Sequence, residues 1–195
     1  MTEIDAKQGH VFVISAPSGA GKTSILRSLL NKHPEYTFSV SATTREKRLG
    51  ERDGIDYYFI SSEEFEKKIA AGELLEWEQV YDNYYGTPKK NIEDTIRLGK
   101  NIFIEVEVKG ALSIKKVFPN AVLIFIEPPS FEELQKRLVK RKTESEEDIK
   151  KRMYRAKMEL EQKPYFDFCI VNHKIEPTID KLEKYINQII NKGVV

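Results

Sequence analysis

A single cysteine, Cys169, in 195 residues excludes an internal disulfide. It lies in the apolar run Phe168-Cys169-Ile170-Val171, which predicts a buried, inert thiol and a reducing, cytoplasmic setting. The chain also lacks any run of 18 apolar residues, so a membrane-spanning helix is excluded. Residues 1–9 carry Glu3 and Asp5 and hold no apolar stretch of signal-peptide length. A surplus of one charge sign is missing too. With 32 basic and 31 acidic residues the formal net charge is +1, and the whole-chain field gives no argument for nucleic acid or an anionic membrane as partner. No repeat, low-complexity tract or linker interrupts the chain, and 40% hydrophobic with 32% charged residues fits one globular domain with room for small inserted lobes.

What is present is organised around Ala16-Pro17-Ser18-Gly19-Ala20-Gly21-Lys22-Thr23, directly after the apolar run Val11-Phe12-Val13-Ile14. This order predicts a strand ending at Ser15, a loop of small residues, and a helix from near Gly21 with Ile25, Leu26, Leu29 and Leu30 on one face. Glycines let successive backbone N–H groups turn inward around a phosphate, and the helix start adds orphan donors and the positive end of its dipole. Lys22 adds a mobile positive charge for a transferring phosphate. The Thr23 hydroxyl is the expected inner ligand of a Mg2+ ion on the nucleotide, and Ser24 follows it in the same phosphate-binding stretch. The strict phosphate-loop pattern begins with Gly, where this chain has Ala16.

Beyond a break at His33-Pro34, residues 36–40 read as a second strand. Residues 41–90 change character: they hold five of the nine tyrosines, the one tryptophan, Trp77, and the basic turn Arg45-Glu46-Lys47-Arg48, as an inserted lobe would. Within them, residues 57–60 predict a short strand, and Ser61-Ser62-Glu63-Glu64 is a capping box for a helix closed at Gly72. Alternation over 74–80 places Leu75 and Trp77 on one face, Glu76 and Glu78 on the other. Thr87-Pro88 predicts an N-cap and first turn for a helix reaching about Leu98. Residues 101–106 and 121–126 are β-rich and mostly apolar, as parallel strands covered on both faces are, and their alternation with helices predicts an α/β fold. Ser130-Phe131-Glu132-Glu133 is a second capping box. Residues 136–157, with ten basic and four acidic side chains and a break at 140–145, predict a basic helical hairpin. Pro164 ends its second arm, residues 168–172 form a last core strand, and 177–191 form a closing helix with Ile179, Leu182, Ile186, Ile189 and Ile190 facing in.

Taken singly, the polar residues leave alternatives open. Arg45 and Arg48, three apart, can grip a phosphate with fork-shaped donors while Tyr57 and Tyr85 add neutral ones, but they equally fit a solvated turn over a lobe core containing Trp77. Glu76 can accept from paired N–H donors of a ligand, and the Ser41 and Thr87 hydroxyls can donate to an acceptor; Glu76 also fits a surface strand and Thr87 an N-cap. Arg137 and Arg141 also fit solvated charges on a helix.

Together with the loop, the segments Ser41-Ala42-Thr43-Thr44-Arg45, Arg48, Gly50-Glu51, Asp56-Tyr57, Glu76-Trp77, Tyr84-Tyr85-Gly86-Thr87, Pro128-Pro129-Ser130, Arg141, Thr143-Glu144-Ser145-Glu146-Glu147 and Val171-Asn172 resemble guanylate kinase over nearly the whole chain. The resemblance implies an α/β fold of P-loop NTPase type, a parallel sheet flanked by helices. It divides a single domain of residues 1–195 into a core (about 1–40, 88–130 and 160–195), an inserted mixed α+β GMP-binding lobe (about 41–87) and a helical lid (about 131–159). The implied reaction is Mg2+-dependent transfer of the ATP γ-phosphate to GMP, giving ADP and GDP, by a monomer or homodimer. Family positions matching Arg45, Arg48, Tyr57 and Tyr85 hold the GMP phosphate, and those matching Ser41, Glu76 and Thr87 read guanine. Glu105 and Glu107 stand where the family often has aspartates making GMP or metal-water contacts. Positions matching Arg137, Arg141 and Arg152 close over the ATP phosphates beside Lys22, and that matching Asn172 lies near the adenine. Lys140 and Lys142 replace glycines that often flank Arg141, and His173 replaces a common Asp. Two readings compete: a kinase for another base, which Glu76 opposes, and a non-catalytic scaffold domain binding a phosphopeptide, which the intact Gly21-Lys22-Thr23 opposes.

Overall fold

The unbroken apolar run ahead of the small-residue loop becomes the central strand. The structure is a computed structural model that describes residues 8–80, 82–139 and 146–192. The chain runs β1 (Val11–Ser15), α1 (Lys22–Lys32), β2 (Thr37–Ser39), β3 (Ala42–Thr43), β4 (Tyr58–Phe59), α2 (Ser62–Ala70), β5 (Leu74–Val80), β6 (Asn83–Pro88), α3 (Lys89–Arg97), β7 (Ile102–Glu105), α4 (Val108–Val117), β8 (Val122–Glu127), α5 (Phe131–Val139), α6 (Glu146–Leu160), a short 3-10 turn (Lys163–Tyr165), β9 (Phe168–Val171) and α7 (Ile175–Lys192). One sheet has the order β2-β7-β1-β8-β9, with β2 parallel to β7 and β8 parallel to β9. All five residues of β1 are buried, as a strand covered on both faces requires. In such a sheet ligands bind beyond the carboxyl ends of the central strands, and the loop after β1 leaves from that end.

Contacts divide the described residues into two compact units. The first comprises 8–12, 35–104 and 112–121, and it holds a second sheet with the order β4-β3-β6-β5. Its interior includes Phe65 from α2, stacked on Tyr84 with centroids 5.3 Å apart, and Phe12 stacked on Phe103 at 5.0 Å. The second comprises 13–34, 105–111 and the described residues from 122 on. There Ile25, Leu26 and Leu29 of α1, Leu123 to Ile126 of β8, and Ile179, Leu182 and Ile186 of α7 are buried. Each such side chain contributes roughly 1.5–3 kcal/mol of transfer free energy. Among the described residues no helix is long and apolar enough to cross a membrane.

Both capping boxes form at their N-cap serines. Ser61 Oγ accepts from the Glu64 N–H at 3.1 Å, and Ser130 Oγ accepts from the Glu133 N–H at 3.1 Å. Three local expectations are corrected. Thr87 is not an N-cap: it lies in β6, Pro88 is the extended N-cap of α3, and the Thr87 hydroxyl is engaged elsewhere. Trp77 does not share the burial of Leu75; it is 47% exposed, because the β5–β6 register shifts between Leu74 and Trp77 and breaks the alternation there. Cys169 is half-buried on the edge strand β9, not buried, though burial still pushes its thiol pKa up and keeps it in the inert form.

Gly21, the N-cap of α1, has φ +98°, and a Cβ placed on it would lie 2.5 Å from Asn172 Nδ2. Gly50 has φ +87° but open space around it. Gly50→Ala is expected to lose only the backbone cost of roughly 1–2 kcal/mol, and Gly21→Ala distinctly more because Asn172 must also move. Urea unfolding of both variants checks this; equal losses would mean that the Asn172 contact does not constrain the loop.

Candidate active site

In the second unit, β1 delivers the chain to a loop closed by the Ala20 N–H donating to the Pro17 carbonyl at 3.0 Å. Ala16 is buried, and the positive φ values fall on Gly19 and Gly21, so the first position carries a methyl group without strain. At the head of α1, Lys22 Nζ donates to the Val106 carbonyl at 2.8 Å and lies 3.7 Å from Glu107 Oε1. The Thr23 hydroxyl donates to Glu105 Oε1 at 2.5 Å, and Ser24 is exposed in the first turn. Sequence spacing brings neither carboxylate near the loop; the sheet does, because β7 ends at Glu105.

Beneath the loop, Asn172 is buried and its Nδ2 donates to the Ala20 carbonyl at 2.8 Å, while its Oδ1 accepts from Thr178 Oγ1 at 3.3 Å. The side chain expected near the adenine also braces the loop. Helices α5 and α6 pack through Leu134, Leu138, Met153 and Ala156, with Ile149 against them. From α6, Arg152 Nη2 donates to Ser18 Oγ in the loop. From α5, Arg137 pairs with Glu133 at 3.1 Å and donates to the Asn172 carbonyl at 3.4 Å. The structure thus gathers Lys22, Thr23, Arg137, Arg152, Glu105, Glu107 and Asn172 about one loop. Arg141, with Lys140 and Lys142, lies outside the described residues.

In the first unit, strand register sets the polar residues. β3 pairs antiparallel with β6, Ala42 opposite Gly86 and Thr43 opposite Tyr85, while Trp77 of β5 also faces Gly86. Ser41 precedes β3, and its carbonyl accepts from the Tyr58 N–H at 2.8 Å. On the β5–β6 hairpin the Thr87 hydroxyl donates to Glu76 Oε1 at 2.6 Å, so two expected base readers touch each other. Arg45 lies over the rings of Tyr57 and Phe59, 5.6 and 5.7 Å from their centroids, and the Tyr57 and Tyr85 rings meet edge-on at 6.1 Å. Arg48 is exposed at the end of the turn.

One residue has no role in the motif reading. Glu51 Oε1 accepts from Arg45 Nη2 at 2.7 Å, and Oε2 accepts from the Arg48 N–H at 2.8 Å. Arg45 Nη1 also donates to the Glu46 carbonyl at 2.6 Å. The Arg45 guanidinium and then the Arg48 N–H hold the Glu51 carboxyl below its usual range; Glu51 in turn raises the Arg45 pKa, against burial and with help from Tyr85. The signal was an acid closing a glycine turn six residues after one arginine and three after the other.

Comparison with known proteins shows the family. A family model described as guanylate kinase matches residues 8–189. The chain is 46% identical over 176 residues to a guanylate kinase of Carboxydothermus hydrogenoformans, covering 90% of this chain and 86% of that one. It is 42% identical over 180 residues to a guanylate kinase of Oceanobacillus iheyensis, covering 92% and 87%. The chain belongs to the guanylate kinase family. A solved guanylate kinase from Anaplasma phagocytophilum superposes on it with a TM-score of 0.76 at 33% identity, over 93% of this chain and 86% of that one. The parallel α/β architecture expected from the sequence is thus the architecture of the family.

Glu51→Gln should raise the KM for GMP about tenfold with little change in kcat, because it removes the charge that orients Arg45 while leaving the side-chain shape. Steady-state kinetics with varied GMP measure it. A lower KM would mean that Glu51 competes with the incoming phosphate for Arg45.

Proposed function

We infer that this chain is a nucleoside-monophosphate kinase that transfers the γ-phosphate of ATP to GMP, giving ADP and GDP. The carrying observation is the braced loop of family type with Lys22 and Thr23 at the helix head. A coupled assay of ADP formation over a panel of monophosphates tests it; no turnover with GMP overturns it. A phosphopeptide-binding scaffold has no need of that loop.

ATP is assigned to the loop from Ala16 to Ser24, and GMP to the lobe of residues 41–87. Arg45, Arg48, Tyr57 and Tyr85 hold the GMP phosphate, with Glu105 and Glu107 as further contacts. For the base, Glu76 accepts from guanine N1–H and the N2 amine. Since the Thr87 proton already goes to Glu76, Thr87 is best read as orienting that carboxylate, leaving the Ser41 hydroxyl to donate to O6. The Thr23 hydroxyl, oriented by Glu105, is a hard oxygen donor suited to Mg2+, which when bound would neutralise charge on the ATP phosphates. We place the reaction in the cytoplasm, with its two nucleotide substrates.

The acceptor needs no general base, since a phosphate monoester with a second pKa near ~6 is largely dianionic at neutral pH. One of its oxygens forms the bond to the γ-phosphorus while the bond from that phosphorus to the β–γ bridging oxygen breaks, and ADP leaves with the electron pair. Lys22 and the arginines of the hairpin at 131–159 (Arg137, Arg152 and the expected Arg141) stabilise the charge that spreads over the transferring group. Closure of that hairpin would exclude water, which otherwise diverts transfer into ATP hydrolysis.

Lys22→Ala should lower kcat on the order of 10²–10³-fold while GMP binding holds, because the ammonium acts on charge that develops during transfer. Single-turnover rates and equilibrium GMP titration separate the two; near-normal turnover rules the role out. Glu76→Gln should lower kcat/KM for GMP and narrow the GMP-to-AMP ratio, since a carboxamide offers N–H groups to guanine donors yet can donate to adenine N1. Measuring kcat/KM for both nucleotides on both proteins decides it, and an unchanged ratio removes Glu76 from base reading.

A further inference from the structure

Strand β5 carries two carboxylates, Glu76 and Glu78, on one side, and the reaction as assigned uses only the first. From Trp77 on, the hairpin is in regular antiparallel register, with Trp77 opposite Gly86, Glu78 opposite Tyr85 and Gln79 opposite Tyr84. Residues directly opposite each other share a face of the sheet, and successive residues alternate between faces. One face holds Trp77, Tyr84 and Gly86 and is packed: Phe65 of α2 stacks on Tyr84, Trp77 meets the same ring edge-on at 6.0 Å, and a Cβ placed on Gly86 would lie 2.9 Å from Phe65 Cζ. The other face holds Glu78 and Tyr85 together with Glu76 and Thr87, which are tied to each other across the hairpin at 2.6 Å. Tyr85 in turn meets the ring of Tyr57, over which Arg45 lies. Glu78 therefore stands on the face of the residues assigned to the base and to the phosphate. It is partly exposed, and among the described residues its carboxylate takes part in no hydrogen bond or ion pair. Its neighbours on the strand are engaged, Glu73 with Lys68 at 3.2 Å and Glu76 with Thr87.

We propose that Glu78 is a specificity-determining residue that reads the sugar of the acceptor nucleotide, its carboxylate accepting hydrogen bonds from the ribose hydroxyls. The inference rests on the assignment of GMP to this lobe, with Glu76 at the guanine edge and Tyr85 and Arg45 at the phosphate. Two residues of extended strand advance the chain by about 6.7 Å, so Glu78 stands one step on from Glu76 and level with Tyr85. What a nucleotide presents between its base and its phosphate is the sugar, and the only hydrogen-bond donors of a ribose are its 2′ and 3′ hydroxyls. An ionised carboxylate only accepts, and its two oxygens can take one proton each from such a pair. Directed at the phosphate, the same charge would oppose the anion that Arg45 is placed to hold. A charge-assisted bond is about twice as strong as a neutral one, and a site built to bond a substrate hydroxyl rejects the analogue that lacks it.

The test compares GMP with 2′,3′-dideoxy-GMP, which has neither hydroxyl, on wild type, Glu78→Ala and Glu78→Gln, by steady-state kinetics and by equilibrium titration where turnover of the analogue is slow. Glu78→Ala should lose about tenfold in kcat/KM for GMP, carried by KM, and less than about twofold for the dideoxy nucleotide, whose side of the contact is already missing. Glu78→Gln keeps one oxygen acceptor without the charge and should fall between wild type and Glu78→Ala on GMP. Should Glu78→Ala fail to fold, Glu78→Gln carries the same comparison with a smaller amplitude. Equal losses on the two nucleotides, as structural damage gives, overturn the proposal; so does a gain on GMP, which would mean that the carboxylate repels the phosphate. If wild-type protein fails to convert GMP, the kinase reading falls and this inference with it. A wild type that turns GMP over beside equally active variants removes Glu78 alone.

Discussion

The hydrogen bond from Asn172 Nδ2 to the Ala20 carbonyl, 2.8 Å long and buried, is the constraint on which the nucleotide loop depends. A loop that offers its N–H groups outward to a phosphate must satisfy its carbonyls inward, and a buried carbonyl without a partner costs about 1–3 kcal/mol. Asn172 is itself pinned, its N–H donating to the Glu127 carbonyl at 2.8 Å and its Oδ1 accepting from Thr178 at the start of α7. The end of an edge strand, the first turn of the last helix and the phosphate loop are thus one unit. Gly21 is required for the same reason, since its φ of +98° and the amide against it leave no room for a side chain.

The lobe achieves the same fixity with charge. Arg45 has an aromatic floor of Tyr57 and Phe59, and Glu51 on its rim. Both oxygens of Glu51 are engaged, one by the guanidinium and one by the Arg48 N–H, so the carboxylate shapes the turn as well as pairing the charge. Glu76 and Thr87 repeat the device with a neutral donor: the hydroxyl gives its only proton to the carboxylate and sets its angle.

Local signals in the sequence carried the fold where chemistry is local. The loop, both capping serines, the buried face of α1 and the apolar parallel strands follow from neighbours within a turn or a strand. Legibility failed where a distant partner decides. Thr87 and Pro88 have the composition of a helix start, yet Thr87 is drawn into β6 by a partner eleven positions back. Trp77 keeps its place in the alternation only until the register shift upsets it. Glu51 stood in the family-like segment Gly50-Glu51 with no role attached, since an acid near basic residues is the commonest pattern on any soluble surface; its hydrogen bonds to Arg45 and to the Arg48 N–H give it one.

A chain that handles two polyanions with a net charge of +1 keeps its cations locally compensated, and the strength of each compensation sorts them by task. Arg45 is bonded to a carboxylate that also grips the backbone, so the protein itself holds the guanidinium in place. Arg137 has a half-exposed i,i+4 partner in Glu133, a kind of pair worth roughly 0.3–0.5 kcal/mol, and a longer 3.4 Å bond to the Asn172 carbonyl. Such partners are surrendered at little cost. Firm pairing of Arg45 and weaker pairing of Arg137 suit the fixed acceptor site and the closing lid proposed for them. Because each opposite charge lies within a few ångströms, the field cancels at long range, and recognition falls to donors already held at bonding distance.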